Sequence, residues 1–173
     1  IGVDVKQQSR VHNSKLATEL GMDQVSFEVG EIAEVSLPWR PHVVLALHAC
    51  DTATDECIAR AVEWEAPLIL AAPCCHKDLS RQLRATKAPA RYRALVRDGI
   101  LRERFADTLT DAVRASLLRA RGYRVDVVEF VDSAHTPRNT LIRATLTGAV
   151  QADDSAALIA ELGLEPKLGQ LLA

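Results

Sequence analysis

His48, Cys50, Asp51, Cys74, Cys75 and His76 are the residues of this chain best suited to chemistry, and they fall in two tight groups, His48-Ala-Cys50-Asp51 and Cys74-Cys75-His76. An imidazole with a near-neutral pKa can take or return a proton. A thiol can attack as a thiolate, or can fill a pocket as a small apolar group. Each group directly follows a short apolar run, Val43–Leu47 or Leu68–Ala72, and the span Thr54–Trp64 between them carries apolar residues at helical spacing. This is a βαβ pattern, two buried parallel strands joined by a helix. Ligands of open α/β sheets bind beyond the carboxyl ends of the strands. The pattern therefore gathers both groups at one sheet edge.

The rest of the chain must supply the remainder of that sheet. Ile1–Val5 reads as a buried strand with Asp4 near its end, Lys6–Leu20 as a helix stopped by Gly21, and Val25–Val29 as an alternating strand followed by Gly30-Glu31-Ile32. Downstream, Leu101–Gly122 reads as a long helix with Phe105, Leu109, Val113 and Leu117 on one face. Arg124–Val131 and Thr140–Leu146 read as an antiparallel pair, and Asp153–Leu162 as a closing helix. The order predicts an α/β fold, doubly wound and mostly parallel, that ends in an antiparallel hairpin. It divides into a domain over 1–150 and a helical extension over 151–173.

Composition narrows the function classes. The chain has 173 residues and a formal charge of −2, so no global polycation points to DNA or RNA. No apolar run is long enough to span a membrane, and no signal peptide is visible. The four cysteines, Cys50, Cys57, Cys74 and Cys75, do not form a secreted disulfide pattern, which places the protein in the reducing cytoplasm. Cys57, on the predicted helix, belongs to the core. One local imbalance stands out: residues 77–104 hold nine Lys or Arg against three Asp or Glu. Arg81, Arg84, Lys87, Arg91 and Arg93 would form a basic shoulder suited to phosphates. The alternative is an ordinary solvated helix face.

With strand order and motifs combined, the sequence resembles the class I S-adenosylmethionine-dependent methyltransferases. It is closest in pattern to a family that pairs a His-x-Cys-Gly-x-Ala-Thr-Asp segment with a Cys-Cys-His segment, and whose eukaryotic relatives include a tRNA 2′-O-methyltransferase. Here the segments read His48-Ala-Cys50-Asp51-Thr-Ala-Thr-Asp55 and Pro73-Cys74-Cys75-His76, with Asp51 where many relatives have Gly. The resemblance implies a Rossmann-like sheet, S-adenosylmethionine as cofactor and RNA as acceptor. It equates Ile1–Val5 with the family's second strand, so that the first strand and its Gly-rich loop are absent. A chain starting at Ile1 is then expected to bind cofactor poorly and to leave a gap beside Val43–Leu47. Asp4 would accept from the cofactor ribose, and Glu31 and Ile32 would flank its adenine. His48, near the cofactor's methyl group, would orient or deprotonate the acceptor. Cys50, Asp51, Cys74, Cys75 and His76 would complete the catalytic pocket.

No metal is needed for this reading. A second reading is a zinc-binding or catalytically degenerate interaction module, with a zinc site made of His48, Cys50, Cys74 and His76. Adjacent Cys74 and Cys75 are expected to diverge and so not to share one ion.

Overall fold

The computed structural model describes every residue except His48, Ser133 and Pro137. The chain separates into two compact units, Ile1–Trp39 and Arg40–Ala173.

The first unit is a βαβ segment. Strand β1 (Gly2–Asp4) leads into helix α1 (Gln7–Glu19), and strand β2 (Phe27–Val29) pairs parallel with β1. Gly2 is dictated by packing, since a Cβ there would lie 2.6 Å from the Phe27 ring. Val11 and Leu16 of α1 are exposed, and only Ala17 is buried on the helix.

The second unit carries the motifs. Its elements are β3 (Val43–Leu47), α2 (Thr52–Glu63), β4 (Leu68–Ala72), α3 (Lys77–Ala85), α4 (Arg93–Val96), α5 (Gly99–Ala120), β5 (Tyr123–Glu129), β6 (Thr140–Leu146), α6 (Ala156–Leu162) and α7 (Lys167–Leu171). The four strands form one sheet in the order β3-β4-β6-β5. β3 and β4 are parallel, with Val43 opposite Leu68 and Leu47 opposite Ala72. β6 runs antiparallel to both β4 and β5. The βαβ unit and the closing hairpin thus stand as expected. Among the described residues, parallel and antiparallel pairings are equal in number rather than mostly parallel, because β6 inserts between β4 and β5.

One face of this sheet is buried. Val44, Ala46, Ile69, Ala71, Ile142 and Ala144 alternate inward, and Ile58 and Ala61 of α2 are fully buried. The opposite face of β3 is open, with Val43, Leu45 and Leu47 each about half exposed. β3 lies at the edge of the four-stranded sheet, so its apolar run is buried on one side only. A second apolar cluster joins α3 and α5 with the C-terminal segment through Leu79, Leu83, Leu109, Val113, Leu162 and Leu164. Residues 151–173 thereby belong to the second unit. Gly163, with φ of +63°, ends α6 in the left-handed conformation that spares it a Cβ clash. Among the described residues, no helix is long and apolar enough to cross a membrane.

Candidate active site

The β3–α2 turn and the β4–α3 loop meet at the carboxyl ends of two adjacent parallel strands. Three sulfurs define the meeting point. Sγ of Cys50 lies 2.9 Å from Sγ of Cys74, and the sulfurs of Cys50, Cys74 and Cys75 all lie within 4.8 Å of one another. Neighbouring cysteines diverge on a strand, but Cys74 and Cys75 sit in irregular backbone beyond β4, which lets both sulfurs turn toward Cys50. The expected divergence is therefore absent. None of the four cysteines is in a disulfide, and Cys50 is exposed. Its hydrogen bond with Cys74 and then burial raise the Cys50 pKa, while burial and then Cys50 raise that of Cys75. Both thiols are held in the protonated form, which opposes the thiolate nucleophile considered from sequence.

Asp51 ties the two loops together. Its backbone has φ of 55° and ψ of −121°, a region that residues other than Gly rarely enter. Four contacts hold it there. The Asp51 N–H donates to the Cys75 carbonyl at 3.3 Å, and its own carbonyl accepts from Arg114 Nη2 at 2.9 Å. Its carboxylate accepts from the Asp78 N–H at 2.9 Å and from Arg81 at 3.3 Å. The Asp78 amide is one of the unpaired donors in the first turn of α3, so Asp51 caps a helix other than its own. Thr54 donates to the Ala49 carbonyl and closes the turn from within α2.

Beneath the loops lies a buried charge network that the sequence did not disclose. Arg114 on α5 is 1% exposed and grips Asp55 with Nε at 2.8 Å and Nη2 at 2.9 Å. Nη1 of Arg114 reaches Asp111 at 3.3 Å. Burial works against the Arg114 charge, but Asp55 and then Asp111 outweigh it and leave its pKa raised. His76 is buried against the same helix. Its Nε2 lies 2.8 Å from Asp111, and its Nδ1 lies 3.3 Å from Asp107 without a hydrogen bond. Arg138 completes the frame, donating to the Cys74 carbonyl at 2.8 Å and approaching Asp107 at 3.5 Å. Asp107, Asp111 and Arg114 lie four and three residues apart on α5, hence on one face. That spacing was the available signal.

His48 lies outside the described residues. Of the alternative zinc ligands, Cys50 and Cys74 come together, whereas His76 faces the α5 acids. Asp4, Glu31 and Ile32 belong to the first unit. Asp4 accepts the Lys6 N–H at 2.8 Å and so braces the turn into α1. That bond and then Ser9 lower its pKa, keeping an exposed carboxylate ionised. Glu31 is exposed and Ile32 half-buried. On the basic shoulder, Arg81 pairs with Asp51 and Asp78, and Arg91 with Glu161 and the Tyr92 ring. Arg84, Lys87 and Arg93 are exposed and form no ion pair among the described residues.

Comparison with known proteins gives one family. No curated protein and no solved structure matches the chain. Residues 1–82, a little under half of the sequence, match a family model described as a methyltransferase domain. The matched stretch contains both motif loops, and the match supports a methyltransferase domain here.

Proposed function

We propose that this protein is an S-adenosylmethionine-dependent methyltransferase of the class I, Rossmann-like type, acting on RNA. The observation that carries the reading is the methyltransferase-domain match over residues 1–82, which includes the two loops that converge beyond β3 and β4.

The residues of the first unit fit the cofactor's polar groups. Asp4 uses one carboxylate oxygen on Lys6 and remains ionised and exposed, with acceptor capacity for ribose hydroxyls. Glu31 is free to accept from an exocyclic amine, and Ile32 offers an apolar surface to a ring. When bound, S-adenosylmethionine supplies a methyl group activated on a sulfonium. His48 follows β3 directly in sequence and takes the role of orienting or deprotonating the acceptor. Asp51 and His76 are positioning residues: the first fixes the turn after His48, and the second anchors the β4–α3 loop to α5. Cys50, Cys74 and Cys75 shape the pocket wall between them. Methyl transfer depends on alignment more than on strong acid–base chemistry, so a rigid double loop serves it well. RNA follows from the exposed cations Arg84, Lys87 and Arg93 and from the family resemblance.

The test uses S-adenosylmethionine with a labelled methyl group, offered with unmodified RNA and, separately, with protein and metabolite fractions. Label in RNA supports the proposal, and its loss in His48→Ala with cofactor affinity retained supports the role of His48. Label in protein alone overturns the RNA assignment. Cofactor binding without transfer to any of these fractions overturns the enzymatic reading.

A further inference from the structure

We propose that Cys50, Cys74 and Cys75 form a binding site for a soft divalent cation, zinc above all, at the junction of the β3–α2 turn and the β4–α3 loop. The site stands on its own geometry and does not depend on methyl transfer.

Three thiols from two loops converge with all sulfurs inside 4.8 Å. In tetrahedral coordination, zinc–sulfur bonds of about 2.3 Å place sulfurs about 3.8 Å apart. That value lies inside the 4.8 Å limit on the three sulfurs, and the Cys50–Cys74 pair is closer at 2.9 Å. Cys50 is exposed, and a change of its side-chain rotamer would widen that pair. The charge balance also fits. Three thiol protons leave to solvent as the ion binds, giving a site of net charge −1. The Lys77 ammonium acts on Cys50, and Arg138 holds the Cys74 carbonyl at 2.8 Å, so two cations stand by to offset it.

Among the described residues, no His, Asp or Glu joins the three sulfurs at this spacing. His76 is committed to Asp111 through Nε2 at 2.8 Å. Among the described residues, a fourth tetrahedral position beside the three sulfurs is taken by no carboxylate or imidazole. Three thiolates select a thiophilic ion over magnesium or calcium, which take oxygen ligands.

The test uses the full chain, purified under reductant, and Co²⁺ as a spectroscopic probe with Zn²⁺ as competitor. The expected result is one Co²⁺ per chain, with the intense near-ultraviolet band of thiolate-to-cobalt charge transfer, bleached by one equivalent of Zn²⁺. Cys50→Ser, Cys74→Ser and Cys75→Ser should each lose most of that band. Cys57→Ser, whose thiol is buried on α2 away from the cluster, should keep it. Far-ultraviolet circular dichroism confirms that each variant is folded, and release of zinc from the unmutated protein by a mercurial gives a readout that needs no variant. A folded, fully reduced protein that takes up no Co²⁺ overturns the proposal. So does a cobalt spectrum without charge transfer, or one unchanged by all three cluster substitutions.

Discussion

Asp51 shows how one residue can reconcile a backbone demand with a binding role. Its φ of 55° with ψ of −121° is backbone that favours Gly, a demand the sequence alone could not show. Only a side chain that is held firmly stays there, at a cost of about 1–3 kcal/mol. The carboxylate offsets that cost by capping α3 and binding Arg81. Asp51→Gly should relieve the backbone and lose the cap, for a net change within about 1 kcal/mol. Asp51→Ala keeps the strain and loses the cap, so it should be less stable than the glycine variant by at least about 1 kcal/mol. Urea unfolding of both variants measures this; equal stabilities would mean that the turn is unstrained. A second residue-scale expectation concerns Cys57. Burial pushes its thiol from 9.0 up to about 11. The folded state thus retains a proton that the unfolded chain loses, and stability should be unaffected below pH 9 and decline between about 9 and about 11. Cys57→Ala should make that decline shallower in pH-dependent melting curves.

At the scale of elements, α5 is the helix that organises the site, and only half of its logic was legible. Phe105, Leu109, Val113 and Leu117 announce an apolar stripe, and the structure buries Leu109 and Val113 in the cluster with α3. The polar positions between them read as a solvent face, because buried charges are rare. Arg114 and Asp55 are 59 residues apart in sequence, and nothing local signals that one neutralises the other. The expectation is that Arg114→Met destabilises by about 3–5 kcal/mol, since it strands Asp55 and Asp111 without their cation. Adding Asp55→Leu should recover a large part of that loss. Denaturant unfolding of the single and double variants decides this; additive losses would show that the pair acts as two independent contacts. The βαβ unit, in contrast, was plain in the sequence, because two apolar runs at strand length flank one amphipathic segment. What sequence could not show was that β3 buries only alternate residues. An apolar run predicts burial on both faces, yet Leu45 and Leu47 stand more than half exposed at the edge of the four-stranded sheet.

For the whole molecule, the net charge of −2 conceals a local excess of cations, and the structure thins that excess. Two of the five basic residues predicted to meet phosphates are already paired with carboxylates, Arg81 with Asp51 and Arg91 with Glu161. Arg84, Lys87 and Arg93 remain to bind an external anion. RNA affinity should fall with rising salt, and neutralising these three to Gln should flatten the logarithmic salt slope by about 2, at roughly 0.7 per phosphate contact on a single strand. Filter binding across a salt series reads that slope. An unchanged slope would return the shoulder to an ordinary solvated face. Cofactor affinity, measured in parallel, should not move.

The four contacts around Asp51 also have a consequence in time. The amide of Asp51 is bonded to the β4–α3 loop, and the amide of Asp78 is bonded to the side chain of Asp51. The two contacts share residue 51, so an opening of the β3–α2 turn releases the amide of Asp78 along with that of Asp51. Native-state hydrogen exchange should report the same opening free energy for the amides of Asp51 and Asp78. In Asp51→Gly the second latch is gone, and the amide of Asp78 should exchange faster than that of residue 51. A substrate that needs both loops parted then waits on a single event, and the frequency of that event sets an upper limit on turnover.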